Sequence, residues 1–193
     1  MKRRSIWKVL VLAVLVILAG WTWAPAQTQE FSADQILLGP GGEQQGKIYF
    51  KQDRWRVEVT QSQTQKAIVQ IFRMDKKVSW MLIPEDKVYM ETPLFPDMIP
   101  WAKQIPGEVE RKSLGEETVQ GQLTEKYQVK VFNGEIAQEL YLWTSKELKV
   151  PVKTQTKDGK FGIELRNIQI QAQPEDLFEL PPDFKKITPP LQS

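Results

Sequence analysis

The sequence predicts a mainly β fold, built as an antiparallel meander of roughly ten strands. Three observations support this prediction. Apolar and polar residues alternate with a period of two, as in residues 54–59, which is typical of a strand with one buried face. Turn signals such as Asn133-Gly134 and Asp158-Gly159 recur between these runs. The connections are short, and short connections join antiparallel neighbours because parallel strands need long crossovers.

The first half of the chain holds the clearest alternation. A glycine-rich turn, residues 39–42, joins the first two candidate strands. Pro84-Glu85-Asp86 separates the last two, because proline followed by acidic residues favours a turn. The candidate strands of this half are residues 31–38, 47–52, 54–59, 67–72, 78–83 and 87–90.

The second half repeats the pattern as hairpins. Residues 125–131 alternate strictly, and Asn133-Gly134, the strongest hairpin signal in the chain, leads into their partner at residues 136–143. Residues 150–156 and 161–170 form a further hairpin. The weaker elements are candidate strands at 109–114 and 118–122, helical turns at 95–103 and 174–178, and an extended tail at 181–193.

Strand alternation divides the side chains between two faces. One face is apolar and lines either a packed core or a cavity, whereas the other carries Arg54, Arg56 and Glu58 and is expected to be solvated. Such a long meander must protect its edges, so it closes, folds into a sandwich or curls into a half-barrel with a lid. The residues predicted on the apolar face are Ile48, Phe50, Trp55, Val57, Val59, Trp80, Leu82, Val88, Met90, Tyr127, Val129 and Val131.

The N-terminus, residues 1–26, is typical of a secretory signal peptide. A basic start precedes an apolar core at residues 9–19, which is too short to span a bilayer, and small residues surround the predicted cleavage point at Ala26. The alternative is an uncleaved inner-membrane anchor, in which Trp21 and Trp23 would sit at the membrane interface.

Cleavage would leave one exported domain at residues 27–180 and a proline-rich tail at 181–193, and we therefore expect a periplasmic protein. The signal segment holds four of the 26 basic residues and none of the 24 acidic ones, so the mature chain carries 22 basic and 24 acidic residues. This near-neutral balance gives no support for a nucleic-acid partner.

Two residue types are missing from the sequence, which contains no cysteine and no histidine. Their absence excludes disulfides, thiolate or imidazole metal ligation, a cysteine nucleophile and a Ser-His-Asp triad. An enzyme would have to use a carboxylate or lysine mechanism, and no spacing indicates one. We therefore expect no catalytic residue, no metal and no cofactor.

A proline-broken apolar segment, residues 92–101, interrupts the meander. Its three prolines exclude a central strand and a regular helix. Its large apolar side chains must be buried or must meet a partner. Two interpretations stay open, which are a lid that meets an apolar ligand and a plug that fills the end of an ordinary core. The side chains concerned are Leu94, Phe95, Met98, Ile99 and Trp101.

Short runs along nearly the whole mature chain resemble a known bacterial family. They include residues 46–51, 75–84 and 115–121, and the chain closes with the runs at 150–153 and 174–181. Their order resembles the outer membrane lipoprotein-sorting protein-like group of exported domains, which are relatives of the periplasmic carrier LolA and the receptor LolB.

The resemblance implies a strongly curved antiparallel sheet that forms an unclosed half-barrel, with a short lid over an apolar cavity. In the carriers that cavity accepts the acyl chains of lipoproteins. The carriers place longer helices over the cavity, whereas this chain offers only the segment at 92–103. The resemblance therefore supports binding of an apolar ligand more directly than it supports lipoprotein transport.

We expect a non-enzymatic periplasmic binding protein for an acyl chain, a lipid or a lipoprotein. The alternative is an envelope protein-interaction or stress-sensing module that resembles RseB and binds a protein partner. The ligand would enter between the lid and the concave strands, the protein would be a monomer, and membrane contact would be transient. The candidate ligand-binding residues are Ile48, Phe50, Trp55, Val57, Val59, Trp80, Leu82, Met90, Leu94, Phe95, Met98, Ile99 and Trp101.

Overall fold

The computed structural model describes residues 30–61, 65–94, 105, 107–132, 134 and 137–188. In these ranges the chain forms one twelve-stranded sheet. None of the helical turns in the same ranges has the length and apolar composition needed to cross a membrane. The predicted signal peptide and most of the proline-broken segment lie outside the described residues.

The strands follow one another closely along the chain. Short 3-10 turns at Pro84–Asp86 and Glu175–Phe178 accompany them, and the second of these was predicted from the sequence. The strands are β1 (Phe31–Gly39), β2 (Gly42–Lys51), β3 (Arg54–Thr60), β4 (Ala67–Arg73), β5 (Val78–Ile83), β6 (Val88–Pro93), β7 (Glu108–Val119), β8 (Gln122–Phe132), β9 (Ala137–Ser145), β10 (Pro151–Thr156), β11 (Gly162–Ile170) and β12 (Lys185–Lys186).

The strand order is β12-β6-β5-β4-β3-β2-β1-β11-β10-β9-β8-β7. All neighbours are antiparallel except β12 and β6, which run parallel. Strands β1 to β6 therefore follow one another outward from β1 to one side of the sheet. The chain then crosses to the opposite end of the sheet at β7, and β7 to β11 lead back until β11 pairs with β1. This order brings the two halves of the meander together at β1.

One strand differs from the prediction. The sequence suggests two weak strands, at residues 109–114 and 118–122, whereas the structure has the single strand β7. Its register shifts between Ser113 and Gly115, and Gly115 has a φ of 98°, so a glycine bulge lies inside the strand. The chain reverses instead at Gln120 and Gly121, where φ is again positive.

Residues from distant strands line one cavity, and this shows that the sheet is strongly curled. β4 and β10 are five steps apart in the strand order, which in a flat sheet is about 24 Å at about 4.8 Å a step. Phe72 of β4 and Val152 of β10 nevertheless line the same cavity. Within the described ranges the two ends of the sheet do not pair with each other. The prediction of a mainly β, curved antiparallel sheet that forms an unclosed half-barrel is confirmed.

Two clusters of buried side chains occupy opposite faces of the sheet. The inner face carries Trp55 and Phe72, and the outer face carries Ile71 and Trp80, which are neighbours in register across β4 and β5. Trp80 and Leu82 therefore do not lie on the face predicted for them. β5 is apolar on both sides, so its alternation did not decide which residues face inward.

The outer face of β2 to β6 is covered by a C-terminal strap, residues 173–187. Phe178 of the strap is fully buried and packs in the cluster of Ile71 and Trp80. Arg54 and Arg56 contact the strap and have side chains only 16% and 17% exposed. The prediction that this face is solvated is therefore wrong for these arginines, because Glu175 and Leu177 of the strap contact them.

Candidate functional site: an apolar cavity

A cavity of about 330 Å³ lies on the inner face of the sheet. Its wall combines six strands, which the curl of the sheet brings around one space. Most of the lining is aliphatic or aromatic, and no carboxylate takes part among the described residues. The lining residues are Gln35, Leu37, Ile48, Trp55, Val57, Val59, Gln70, Phe72, Pro151, Val152, Lys153, Thr154, Ile163 and Leu165.

Aromatic stacking fixes one wall of the cavity. Trp55 of β3 and Phe72 of β4 are directly paired in register, and their rings stack with centroids 4.6 Å apart and planes 12° apart. Phe31 and Phe50 form a second stacked pair at 5.3 Å in the same buried cluster. Such pairs hold large apolar surfaces in defined positions, so the cavity has a rigid apolar side.

The polar groups of the cavity are few. Gln35 and Thr154 lie on β1 and β10, and Gln70 lies on β4. Gln35 is only 8% exposed, and its Oε1 is buried with no hydrogen-bond partner in the described part of the chain. Lys153 borders the cavity, but its ammonium lies 5.0 Å from the ring of Trp143 and 3.7 Å from Glu164.

The structure brings together four of the predicted ligand-binding residues. Ile48 of β2 and Trp55, Val57 and Val59 of β3 line the cavity, because each strand presents alternate residues to the same face. Phe50 does not line it and instead packs beside it in the inner cluster.

The remaining predicted residues divide into three groups. Leu94 is buried in the inner cluster, and Met90 faces inward, since it pairs with Met81, the neighbour of Gln70. Trp80 and Leu82 lie on the outer face. The predicted lid residues outside the described ranges are Phe95, Met98, Ile99 and Trp101.

Sequence reasoning missed ten of the fourteen residues that line the wall. Leu37 and Gln35 of β1 and Phe72 of β4 belong to strands that were correctly predicted, but their faces were not assigned. Val152 and Leu165 come from the hairpin of β10 and β11, which is far away in sequence and adjacent to β1 only through the sheet order. Alternation within each strand was a usable signal, but it needed the register between strands.

Trp143 is a large aromatic residue that lies outside the cavity. It is 5% exposed and belongs to the same buried cluster as Trp55. Lys126 and Lys153 are its partners in register, and their ammonium groups lie 4.7 Å and 5.0 Å from its ring. Its Nε1–H donates to Oε2 of Glu117 at 3.0 Å. This hydrogen bond, together with Lys126, lowers the pKa of Glu117. These contacts hold the indole ring of a buried tryptophan in place.

The strongest ionic cluster belongs to the C-terminal strap. Arg73 donates to both oxygens of Asp75, at 2.8 and 2.6 Å, and to Glu179 of the strap. These hydrogen bonds raise the pKa of Arg73 and lower that of Asp75 to about 2. Burial raises the pKa of Glu179, but the hydrogen bonds from Lys76 and Arg73 outweigh it and the pKa is lowered.

These ionic residues pair with one another rather than with a reacting centre. Within the described ranges, no three acidic side chains come together in a way that could hold a metal ion. The arrangement of the inner face is suited to holding an apolar molecule, because Lys153 is the one charged residue in the described lining and its ammonium lies near Glu164 and Trp143.

The chain is similar to solved structures of bacterial proteins, whereas no curated protein sequence matches it. An uncharacterised conserved protein from Thermus thermophilus matches in structure with a TM-score of 0.58, at 15% identity, over 84% of this chain and 91% of that one. A chain of the Pseudomonas aeruginosa MucA/MucB complex matches with a TM-score of 0.54, at 13% identity, over 84% of this chain and 59% of that one.

An outer membrane lipoprotein-sorting domain from Vibrio parahaemolyticus is also among the matched structures. It has a TM-score of 0.36 and 11% identity, over 78% of this chain and 89% of that one. The match includes the group that the sequence resembles, but at this TM-score it carries no functional argument. The likeness to the Thermus and Pseudomonas structures establishes the fold.

The family is established by the sequence itself. A family model described as a domain of unknown function, DUF4412, matches residues 36–150. This range runs from β1 to the residue before β10 and holds more than half of the chain. The protein therefore belongs to the DUF4412 family.

Proposed function

We propose that this protein is a periplasmic binding protein that holds an acyl chain of a lipid or lipoprotein in the inner cavity, without covalent chemistry. The observation that carries the proposal is the apolar wall around a space of about 330 Å³. This volume falls in the range of about 300–1,000 Å³ that is typical of ligand pockets, which are mostly apolar with a few polar groups.

The physical chemistry of the cavity supports a ligand with a long apolar part. Each methylene group moved from water to an apolar site contributes about 0.8 kcal/mol. A chain that fills the cavity therefore gains affinity without specific contacts. Trp55 and Phe72 offer flat apolar surfaces, and their stacking keeps the cavity wall from collapsing.

The first experiment identifies what the protein carries. The protein is purified from the periplasm without detergent, and extracted lipids are identified by mass spectrometry. We expect a lipid or lipidated peptide in stoichiometric amount. A second measurement follows displacement of a fluorescent fatty-acid probe by palmitate.

Matched variants connect the binding to the cavity. Val57→Trp fills space beside Trp55, and we expect it to weaken probe binding at least about tenfold. Val109→Trp is the control, because Val109 lies on β7, is 68% exposed and does not line the cavity. Absence of any bound lipid, together with equal probe binding by the two variants, would contradict the proposal.

A second candidate function is a protein-interaction module. Among the described residues, β7 pairs only with β8, so its other edge is available to add a strand from a partner. Val109 and Leu114 on this strand are 68% and 44% exposed. A solved structure of MucB in complex with MucA has this fold, with a TM-score of 0.53 over 84% of this chain and 57% of that one.

The two candidates predict different co-purified species. Crosslinking in cells followed by capture of the protein would yield a defined protein partner for the interaction module and a lipid for the binding protein. The substitution Lys112→Pro on β7 tests the edge, because proline removes a backbone donor. The interaction module predicts loss of the crosslinked partner, whereas the binding protein predicts unchanged lipid content.

A further inference from the structure

An apolar groove continues the inner cavity along the sheet, toward the turn between β10 and β11. The groove has a volume of about 320 Å³, nearly that of the cavity itself. Its apolar lining comes from three separate parts of the sheet, with Leu37 on β1, Leu140 on β9, and Phe161 and Ile163 at the start of β11. The groove was not used in the account of the cavity, and its position beside the cavity suggests a joint role.

Three residues line both the cavity and the groove, namely Leu37, Thr154 and Ile163. Leu37 of β1 pairs in register with Ile163 of β11, and Ile163 pairs with Thr154 of β10. The three side chains therefore form one row across the inner face of the sheet. The cavity lies on one side of this row and the groove lies on the other, so the two spaces are adjacent along the strands.

The chain around β11 shows that both spaces lie on the same face. Leu165 lines the cavity, Ile163 lines both spaces, and Phe161 lines the groove. Alternate residues of an extended chain point to the same side, and these three positions span about 13 Å at about 3.3 Å per residue. A molecule that lies along β11 on the inner face therefore passes from the cavity into the groove.

The exposure of these side chains rises steadily from the cavity to the groove. Leu165 is 1% exposed, Ile163 is 40% exposed and Phe161 is 52% exposed. A contiguous exposed apolar surface is typical of a binding site. Here that surface continues the buried wall of the cavity, so an apolar molecule that extends out of the cavity along β11 would cover it.

The two volumes set the length of chain that each space can hold. Taking roughly 30 Å³ for a methylene group, which is about the share of a water molecule in the liquid, each space holds about ten carbons. A chain as long as that of palmitate or stearate exceeds either space alone. Such a chain fits the cavity and the groove together.

We infer that one acyl chain of the length of palmitate or stearate occupies both spaces, with its middle part over the row of Leu37, Ile163 and Thr154. The groove is then a second binding subsite, which selects long chains over short ones. The inference rests on the proposed function, because it assigns a chain length to the ligand of the same cavity.

A series of saturated fatty acids tests the inference on the wild-type protein. Dissociation constants are measured by displacement of the fluorescent fatty-acid probe with decanoic, dodecanoic, tetradecanoic and palmitic acid. Each methylene group that enters an apolar site lowers the dissociation constant by up to about fourfold. A groove that is open on one side gives part of this gain, and we expect tetradecanoic acid to bind at least about tenfold more tightly than decanoic acid.

Two variants change the groove without touching the cavity. Leu140→Trp fills the groove and Phe161→Asp places a charge in it, and neither residue lines the cavity. We expect both variants to bind decanoic acid like the wild-type protein and to lose most of the gain for tetradecanoic acid. Phe132→Asp is the matched control, because Phe132 is 47% exposed and lines neither space; it should keep the full gain.

The outcomes separate the inference from the function on which it rests. If decanoic acid binds and longer chains bind no more tightly, the inference is overturned and the proposed function stands. If the gain persists in both folded groove variants, the chain does not use the groove and the inference is again overturned. If no fatty acid of any length binds the wild-type protein, the inference and the proposed function both fail. Circular dichroism checks that each variant is folded, and the wild-type series decides the matter even where a variant is not.

Discussion

Nη1 of Arg73 donates a hydrogen bond to the carbonyl oxygen of Phe178 at 3.0 Å. Arg73 and Phe178 are buried, at 4% and 0% exposure. A buried hydrogen bond therefore joins β4 to the C-terminal strap. The same guanidinium binds Asp75 and Glu179. The strap is therefore part of the folded domain and closes the outer face while the inner face is left for the cavity.

Replacement of Arg73 by methionine should loosen the strap. The methionine keeps an aliphatic side chain in place, but it cannot donate a hydrogen bond. The Phe178 carbonyl oxygen and both carboxylate oxygens of Asp75 therefore lose their hydrogen bonds from Arg73. We expect a loss of about 1–3 kcal/mol in the free energy of unfolding, measured by urea denaturation. Lys76→Met is the control, because Lys76 also pairs with Glu179 but is 45% exposed, and we expect a loss below about 1 kcal/mol. Equal losses would show that the buried donor has no special role.

Phe178→Ala should be among the most destabilising single changes in the strap. The ring is fully buried against Ile71 and Trp80, and removing a buried phenylalanine side chain costs about 3–5 kcal/mol. Phe161→Ala is the matched control, since Phe161 is 52% exposed and its loss should change the free energy of unfolding by no more than about 0.5 kcal/mol. Thermal unfolding of the two variants gives the comparison, and similar melting temperatures would contradict the packing described.

The ion pair of Arg73 and Asp75 should make stability fall in acid. Hydrogen bonding by Arg73 lowers the pKa of Asp75 from its usual 3.8 to about 2. A carboxylate with a lowered pKa stabilises the folded state fully above its unfolded pKa, and the contribution disappears as the pH falls through the folded pKa. The contribution of Asp75 is thus complete above about pH 4 and is lost by about pH 2.

The comparison with Asp75→Asn isolates this contribution, because asparagine does not titrate. Urea midpoints are measured from about pH 6 to about pH 2, a range that spans the folded and unfolded pKa values. We expect the wild-type protein to be more stable than the variant at the upper end and the difference to shrink below about pH 4. Glu175 and Glu179 also have lowered pKa values, so both proteins should weaken in acid, and parallel pH curves would contradict the role of Asp75.

Gly46→Ala should destabilise the sheet where β2 pairs with β3. The added Cβ would lie 2.4 Å from the Glu58 carbonyl oxygen, and the backbone of β3 cannot move away without breaking its ladder with β4. We expect a loss of about 1–3 kcal/mol in the free energy of unfolding. Gly41→Ala is the control, because a Cβ there meets no atom within 4 Å. Chemical denaturation of both variants checks the prediction. A Gly46→Ala variant as stable as Gly41→Ala would contradict the close contact between Gly46 and the Glu58 carbonyl oxygen.

Period-two patterning predicted most of the strands, because the alternation of apolar and polar residues can be seen within the sequence of a single strand. The strands that contain Trp55 and Val129 were found in this way, whereas the strand that contains Met81 was predicted as an apolar run that ends at the Pro84-Glu85-Asp86 turn. The 3-10 turn that ends at Phe178 was predicted as well. The pattern misjudged β7, because the bulge at Gly115 resembles a turn when only the local sequence is considered.

The candidate site was harder to predict than the strands. Trp55 and Trp80 both sit in alternating apolar strands, yet one lines the cavity and the other packs beneath the strap. Their faces depend on the register of β4 and β5, which the sequence of either strand does not contain. The alternation of Arg54 and Arg56 likewise predicts a solvated face. The strap, which is distant in the sequence, covers both arginines in the structure.

The sequence by itself determined most of the strands, the near absence of helix among the described residues, and the exclusion of cysteine and histidine chemistry, because these depend on neighbouring residues or on composition. Only the tertiary structure decided which apolar face encloses a cavity, since that follows from the curl that brings β4 near β10. It also decided that Oε1 of Gln35 is buried and has no hydrogen-bond partner among the described residues. Long-range register sets these features, and register is a property of strand pairs rather than of single strands.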